Sequence, residues 1–392
     1  MQLTDFEADS PGRLVPAQGT VAFVPASMPA ELPLTSAVVR LLSDADFALG
    51  RLTGASGRLV NPYLIGQPLL RREAILSSRI EGTFTTPEQL ALLEAGVPQD
   101  AATLGDTREV LNYMRAMEHG LALLKKMPVS LRLVRELHNV LLDGVRGGQD
   151  RPGEFRTVQN YIGSRNAPIS AARYVPPPVP EMKDALDQWE RGIHLDPDPL
   201  PLLVRSALSH YQFEAIHPFR DGNGRVGRLL IPLILCERER LSDPLLYMSS
   251  YFERYRDEYV DGLLRVSTHG DWDAWLRFFL AGVVVCARES LTMAEELLAL
   301  RDRYHAAVRS ARSSGLLATL IDALFRVPTL TIAQAAALTG VTPASASSNL
   351  QKLVQLKIVD EVSGRTRGQV FLAKELLSFV GRHLGEAGSA RS

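Results

Sequence analysis

The sequence predicts a mainly α-helical protein: a helical bundle with a short β-hairpin flap, followed by a C-terminal winged-helix domain. Three observations carry this. From residue 35 to about 311, apolar residues recur at helical spacing in one segment after another. That period breaks at "GEFRTVQNYIGS" (153–164) and "ARYVPPPVPEM" (172–182), where alternation and prolines replace it. Beyond "RSSG" (312–315), three helical stretches precede two short extended ones around a glycine-containing turn. That is the order of a winged helix-turn-helix.

The elements follow in chain order. Residues 1–34 are rich in Pro, Ala and small polar residues and read as an extended or poorly ordered arm. Helical periods then run through "SAVVRLLSDADFALGRL", "PLLRREAILSSRIEGT", "PEQLALLEA", "TREVLNYMRAMEHGLALLKK" and "SLRLVRELHNVLLDGV". Two extended segments joined by "RNAPISA" form the flap over 155–178. Helices resume at "EMKDALDQWERGIHL" and "LPLLVRSALSHYQFEAI" and continue through "DWDAWLRFFLAGVVVCARESLTMAEELLALRDRYHAAVRSA". The texture divides the chain at 34/35 and 312/313.

Composition sets limits. At 392 residues the chain is long enough for two or three domains. A net charge of −1 gives no global pull toward nucleic acid or anionic membrane. The longest apolar run, "FFLAGVVVCA", is too short for a membrane span, which needs about 20 residues. Cys236 and Cys286 sit in apolar runs and read as buried free thiols. With no basic-then-apolar leader, a cytoplasmic location is expected.

The chemistry concentrates in "AIHPFRDGNGRVGRLL" (215–230). Glycines at 222 and 224 allow positive φ and let an oxyanion approach the backbone at a helix start. Asn223 can donate further hydrogen bonds. Arg225 and Arg228, three residues apart, share one helix face and can address a polyphosphate. Asp221 is a hard oxygen ligand suited to Mg²⁺ or Mn²⁺. His217 is the group here that can take a proton near pH 7. Phe219 reads as an apolar anchor for the loop.

"HPFRDGNGRVGR" (217–228) resembles the signature of the Fic (Fic/Doc) family, H-x-F-x-[DE]-G-N-G-R-x-x-R, at every defined position. "SSRIEGT" (77–83) resembles the family's inhibitory-helix motif, as Ser77 and Glu81-Gly82. The resemblance implies an N-terminal helical region with that helix over 35–110 and a catalytic core over 111–312. It implies transfer of AMP from ATP to a Ser, Thr or Tyr hydroxyl of a protein, self-modification included, with pyrophosphate released. His217 would be the base and Asp221 the metal ligand. Gly222, Asn223, Gly224, Arg225, Val226, Gly227 and Arg228 would bind ATP, with Arg228 at the γ-phosphate. Tyr259 would stack on adenine, or sit in a helix core.

Glu81 would pair with Arg228 in place of the γ-phosphate and so inhibit, within one chain or across a homodimer. Its bland alternative is a helix end at Gly82. The flap would hold a target segment by backbone pairing, or merely cover the core. Relatives that transfer other phosphate groups, or remove AMP, keep those reactions open.

A different class of function rests on "TPASASSNLQKLVQL", which offers Ser345, Ser347, Ser348, Asn349 and Gln351, and on Arg365 and Arg367 of the wing. From 343 to 378 there are five Lys/Arg against three Asp/Glu, a small excess for DNA. DNA or a protein is the expected partner of this domain.

Overall fold

A computed structural model describes residues 2–56, 63–148, 151–163, 167–309, 314–364, 368–382 and 384. The mainly helical class holds. The chain opens on a short 3₁₀ turn and an antiparallel hairpin, β1 (Gly12–Ala17) and β2 (Thr20–Pro25). Then come α1 (Ser36–Ser56), α2 (Tyr63–Ile80), α3 (Pro87–Glu94), α4 (Ala101–Leu124) and α5 (Leu131–Leu141). After the flap follow α6 (Val179–Ile193), α7 (Leu202–Ile216), α8 (Asn223–Glu237), α9 (Ser249–Arg254), α10 (Arg256–His269) and α11 (Trp272–Val308). The C-terminal part holds α12 (Ser314–Arg326), β3 (Thr329–Thr331), α13 (Ile332–Thr339), α14 (Pro343–Gln355), β4 (Asp360–Glu361), β5 (Val370–Leu372) and α15 (Lys374–Gly381).

Two compact units result: 1–53 with 115–287, and 54–114 with 288–392. The first is built on α7 and α8. "RLLIPLILC" is apolar on every side, and α8 is accordingly buried all round. Burying each of its Leu and Ile side chains is worth about 1.5–3 kcal/mol. Nearly every residue of α7 is buried as well, Arg205 among them. Arg205 is tolerated because Asp198 accepts from both Nε and Nη2 at 2.8 Å. Packed on this pair are α5, α6, α10 and β2.

The expected arm at 1–34 is instead the β1–β2 hairpin. Gln18 and Gly19 turn it with φ of 44° and 80°. Two successive positive φ values match the twist a two-residue hairpin loop needs. Phe23 donates its N–H to the Val175 carbonyl at 2.9 Å, which joins the hairpin to the flap. Val15, Ala17, Ala22, Val24, Ala172 and Val175 bury together there. The flap itself is thinner than two strands. A single antiparallel bridge pairs Ile162 with Tyr174, with a 3₁₀ turn at Ile169–Ala171. Arg165 and Asn166 of its expected connection lie outside the described residues.

In the second unit, α2 packs against α12 and α15. Arg71 is fully buried and forks onto Glu94 of α3 while donating to the Arg326 carbonyl that ends α12. The sheet order β3-β5-β4, all antiparallel, adds a strand to the expected pair. β3 is only three residues long and adjoins a helix, so no alternation announces it. Asn349, expected among the contact residues of α14, is buried, with its Oδ1 accepting from Lys352 Nζ at 3.4 Å. It supports the core of its helix and cannot reach a partner. Arg365 and Arg367 lie outside the described residues, as do residues 312 and 313 of the expected linker.

Candidate active site

α7 ends at Ile216, and His217 caps it in the left-handed region at φ 50°, ψ 60°. A non-glycine residue there is strained and must be held by its surroundings. The His217 N–H donates to the Phe213 carbonyl at 3.0 Å. Its Nδ1 lies 3.3 Å from the Glu214 carbonyl. A carbonyl can only accept, so Nδ1 carries the proton and the lone pair sits on Nε2.

The next residues fold into a loop anchored from within. Phe219 is fully buried, stacked on His138 with ring centroids 3.7 Å apart, and tilted against Phe155. Asn223 accepts the Phe219 N–H at 2.8 Å and donates Nδ2 to the Phe219 carbonyl at 2.9 Å. Its amide therefore shapes the loop before any ligand arrives. Gly222 precedes α8 at φ 77°, a turn that needs glycine. At Gly227 a Cβ would come within 2.2 Å of Glu214 Oε1 and 3.3 Å of Phe213 Cδ1, so a side chain there would have to displace the Glu214 carboxylate. The first turn of α8 presents N–H groups that no helical carbonyl can accept, the usual cradle for an anion.

Asp221 accepts the Gly222 N–H on Oδ1 at 2.7 Å and keeps its side chain 45% exposed. Arg225 Nη2 lies 3.6 Å from the same oxygen. Arg225 and Arg228 are both buried and do not lie on a solvated face. The charge of Arg228 is felt by His210, which is pushed down to about 3 by burial first and Arg228 second.

The sequence reading missed His138. Its Nδ1 accepts the Gly153 N–H at 2.8 Å, so Nε2–H donates to the Asp221 carbonyl at 3.1 Å. Burial pushes its imidazole down to about 4. A signal was available: His138 shares the apolar face of α5 with Val134, Leu137 and Leu141. Tyr259 falls to its core alternative. It is buried, stacked on Phe252 at 4.3 Å, and its hydroxyl donates to His210 Nε2 at 2.8 Å. A ring so covered has no face for adenine. Its contact with the site runs through His210, whose Nδ1–H donates to the Gly227 carbonyl at 3.2 Å.

In the second unit, Ser77 is fully buried on α2. Glu81 is exposed in the turn after it. Gly82 adopts φ 84°, and the Gly82 and Thr83 N–H groups close the helix on the Arg79 and Ser78 carbonyls. Among the described residues no group of three His, Cys, Asp or Glu side chains is placed to hold a metal ion. Asp221 fits the other mode, in which one carboxylate and substrate phosphates share Mg²⁺. No helix among them is long and apolar enough to cross a membrane.

A buried helix pair joined by a glycine turn, with an imidazole at the end of the first helix, defines the class. Residues 39–122 match the family described as Fic/DOC family N-terminal, and residues 128–235 match the Fic/DOC family. Over these two spans the chain carries the N-terminal and core regions of the Fic/DOC family. It is 28% identical over 220 residues to a protein of Drosophila grimshawi named protein adenylyltransferase Fic, covering 55% of this chain and 40% of that one. A protein of the same name from Culex quinquefasciatus is 30% identical over 206 residues, 51% of this chain and 37% of that one. The chain thus spans well under half of these relatives. A Fic family protein from Desulfovibrio desulfuricans shares the fold with a TM-score of 0.57 at 19% identity, over 87% of this chain and 97% of that one.

Proposed function

We propose that the site transfers AMP from ATP to a Ser, Thr or Tyr hydroxyl of a protein. The observation that carries this is the single turn joining His217, with its lone pair on Nε2, to the helix start at Asn223. Nε2 takes the hydroxyl proton as that oxygen attacks the α-phosphorus. The bond from α-phosphorus to the α,β-bridging oxygen breaks, and pyrophosphate leaves. The turn at Gly222, Asn223 and Gly224 cradles the α- and β-phosphates through the N–H groups of Asn223 and Gly224, the Gly222 N–H being held by Asp221, and Arg225, Val226, Gly227 and Arg228 complete the ATP site. Charge neutralisation and positioning are what such a transfer needs. Asp221 would hold Mg²⁺ or Mn²⁺, which supplies charge neutralisation on the phosphates. The relatives' name, protein adenylyltransferase Fic, supports the same reaction.

The target segment pairs along the flap 155–178. Glu81 restrains the reaction, a reading supported by the Ser77–Glu81–Gly82 motif and by the fixed turn that presents Glu81. The cytoplasm is the compartment this reading assigns. Cys236 and Cys286, which are not joined in a disulfide, support it. Residues 313–392 act as an accessory winged helix, with Ser345, Ser348 and Gln351 exposed on α14. Salt-dependent binding of duplex DNA by the full chain separates a DNA partner from a protein one. Light scattering tests for the homodimer.

Intact-mass spectrometry after incubation with ATP and Mg²⁺ tests the reaction. An adduct of one AMP on protein supports it. An adduct of one phosphate assigns the site to another transfer, and no adduct in either the native chain or Glu81→Gly removes the proposal.

A further inference from the structure

Arg156, at the base of the flap, is 2% exposed. Its Nε donates to the His217 carbonyl at 3.0 Å. Nη1 donates to the Val158 carbonyl at 3.3 Å and Nη2 to the Pro177 carbonyl at 2.5 Å. The Arg156 N–H itself donates to the Pro218 carbonyl at 2.9 Å. Asn160 adds Nδ2 to the Phe219 carbonyl at 2.9 Å, with the His217 carbonyl at 3.5 Å. Three successive carbonyls, 217 to 219, are thus held by two flap residues. Tyr174, on the other side of the flap, donates its hydroxyl to the Ala215 carbonyl at 2.9 Å. These groups lie at a helix end, where carbonyls lack intrahelical donors.

Among the described residues Arg156 pairs with no carboxylate. Its charge is met by carbonyl dipoles, one of them that of His217 at the C-terminus of α7, where a cation is favoured. Burial pulls the guanidinium down to about 10, the mark of a desolvated cation. A buried charge without an ionic partner is costly. The three acceptors lie on separate segments, at 158, 177 and 217, which suits a rigid fork and not a single ammonium.

We propose that Arg156, assisted by Asn160, is the positioning residue for His217, holding its left-handed backbone and tying the aim of the imidazole to the flap. This rests on the reading of His217 as the base for AMP transfer. The Arg156 guanidinium donates its hydrogen bonds to backbone carbonyls, so it acts through His217. A target strand seated on the flap then meets a base already aimed, and a displaced flap moves the base with it.

The test uses Arg156→Lys and Asn160→Ala in the full chain carrying Glu81→Gly. AMP-transfer rates at varied ATP, ATP affinity by calorimetry, and thermal melts are measured together. Arg156→Lys is expected to lower kcat about 10- to 100-fold with ATP affinity within about twofold, because the N–H groups at 222–224 are not among its partners. The double variant should lose less than the product of the single losses, since both residues hold the same carbonyls. The ring ¹³C–¹H signal of His217, assigned by its loss in His217→Ala, should shift in Arg156→Lys. Unchanged kcat with an unmoved ring signal overturns the proposal. So does a joint fall of kcat, ATP affinity and melting temperature, which marks a general structural role. An inactive Glu81→Gly parent sinks the transfer reading, and the ring signal then decides the positioning role alone.

Discussion

His217 holds a backbone conformation that costs about 1–3 kcal/mol, and the hydrogen bonds around it sustain that cost. Its own replacement by Ala should cut transfer by about 10²–10⁴-fold and leave ATP binding, measured by calorimetry, nearly intact. A His217→Ala chain that still transfers at the native rate would assign the base elsewhere.

The two buried imidazoles behind it predict a pH effect on stability. His138 sits near 4 and His210 near 3, against an ordinary 6.5, because both are buried. Below pH 6.5 the unfolded chain takes up protons that the folded chain refuses. Their contribution is therefore whole above about 6.5 and declines as pH falls toward 4 and then 3. From His138 alone the loss is about 3 kcal/mol. Urea unfolding at pH 7, 5.5 and 4.5 should show this decline, with a shallower slope in His138→Gln. A flat profile would contradict it.

At this scale the sequence was legible where function is contiguous. His217, Asp221 and the glycines announce themselves within twelve residues. The roles of His138 and Arg156 were harder to read, because their partners include backbone carbonyls some 60 to 80 residues away, and carbonyls leave no trace in a sequence.

At the scale of elements, the β1–β2 hairpin shows what the sequence hid. Pro11, Pro16 and a Gln-Gly turn disguise two strands as an arm. Gly19 at φ 80° has open space around it, so a side chain there strains the backbone without clashing. Gly19→Val should cost about 1–2 kcal/mol, read by chemical denaturation. An unchanged midpoint would mean that the turn is not needed.

In the second unit, α2 is fastened by Arg71. Truncating a buried ion-pair partner leaves the other charge stranded, and Arg71→Met should destabilise that unit by about 3–5 kcal/mol. Glu94 is itself 14% exposed, which lets water soften the loss toward the lower figure. A melt indistinguishable from the native chain would show that α2 does not depend on this pair. The periodicity of α2 was readable. Its fastening to residues 255 positions away was not, because long-range pairing has no local signature.

Across the whole molecule, the family span 39–235 supplies the flap, the loop and the Glu81 motif, and the rest of the chain extends beyond it. The restraint assigned to Glu81 belongs to this scale. Glu81→Gly should raise AMP transfer by tenfold or more, on the order of the loss when an arginine–phosphate contact is denied. Equal rates in the two chains would leave Glu81 as a helix end.

The most direct measurement of the central claim is transfer of radiolabel from α-labelled ATP to protein, with γ-labelled ATP in parallel, in the native chain, Glu81→Gly and His217→Ala. Label from the α-position alone, stronger in Glu81→Gly and lost in His217→Ala, is the predicted result. Label arriving from the γ-position, or surviving the loss of His217, would contradict it.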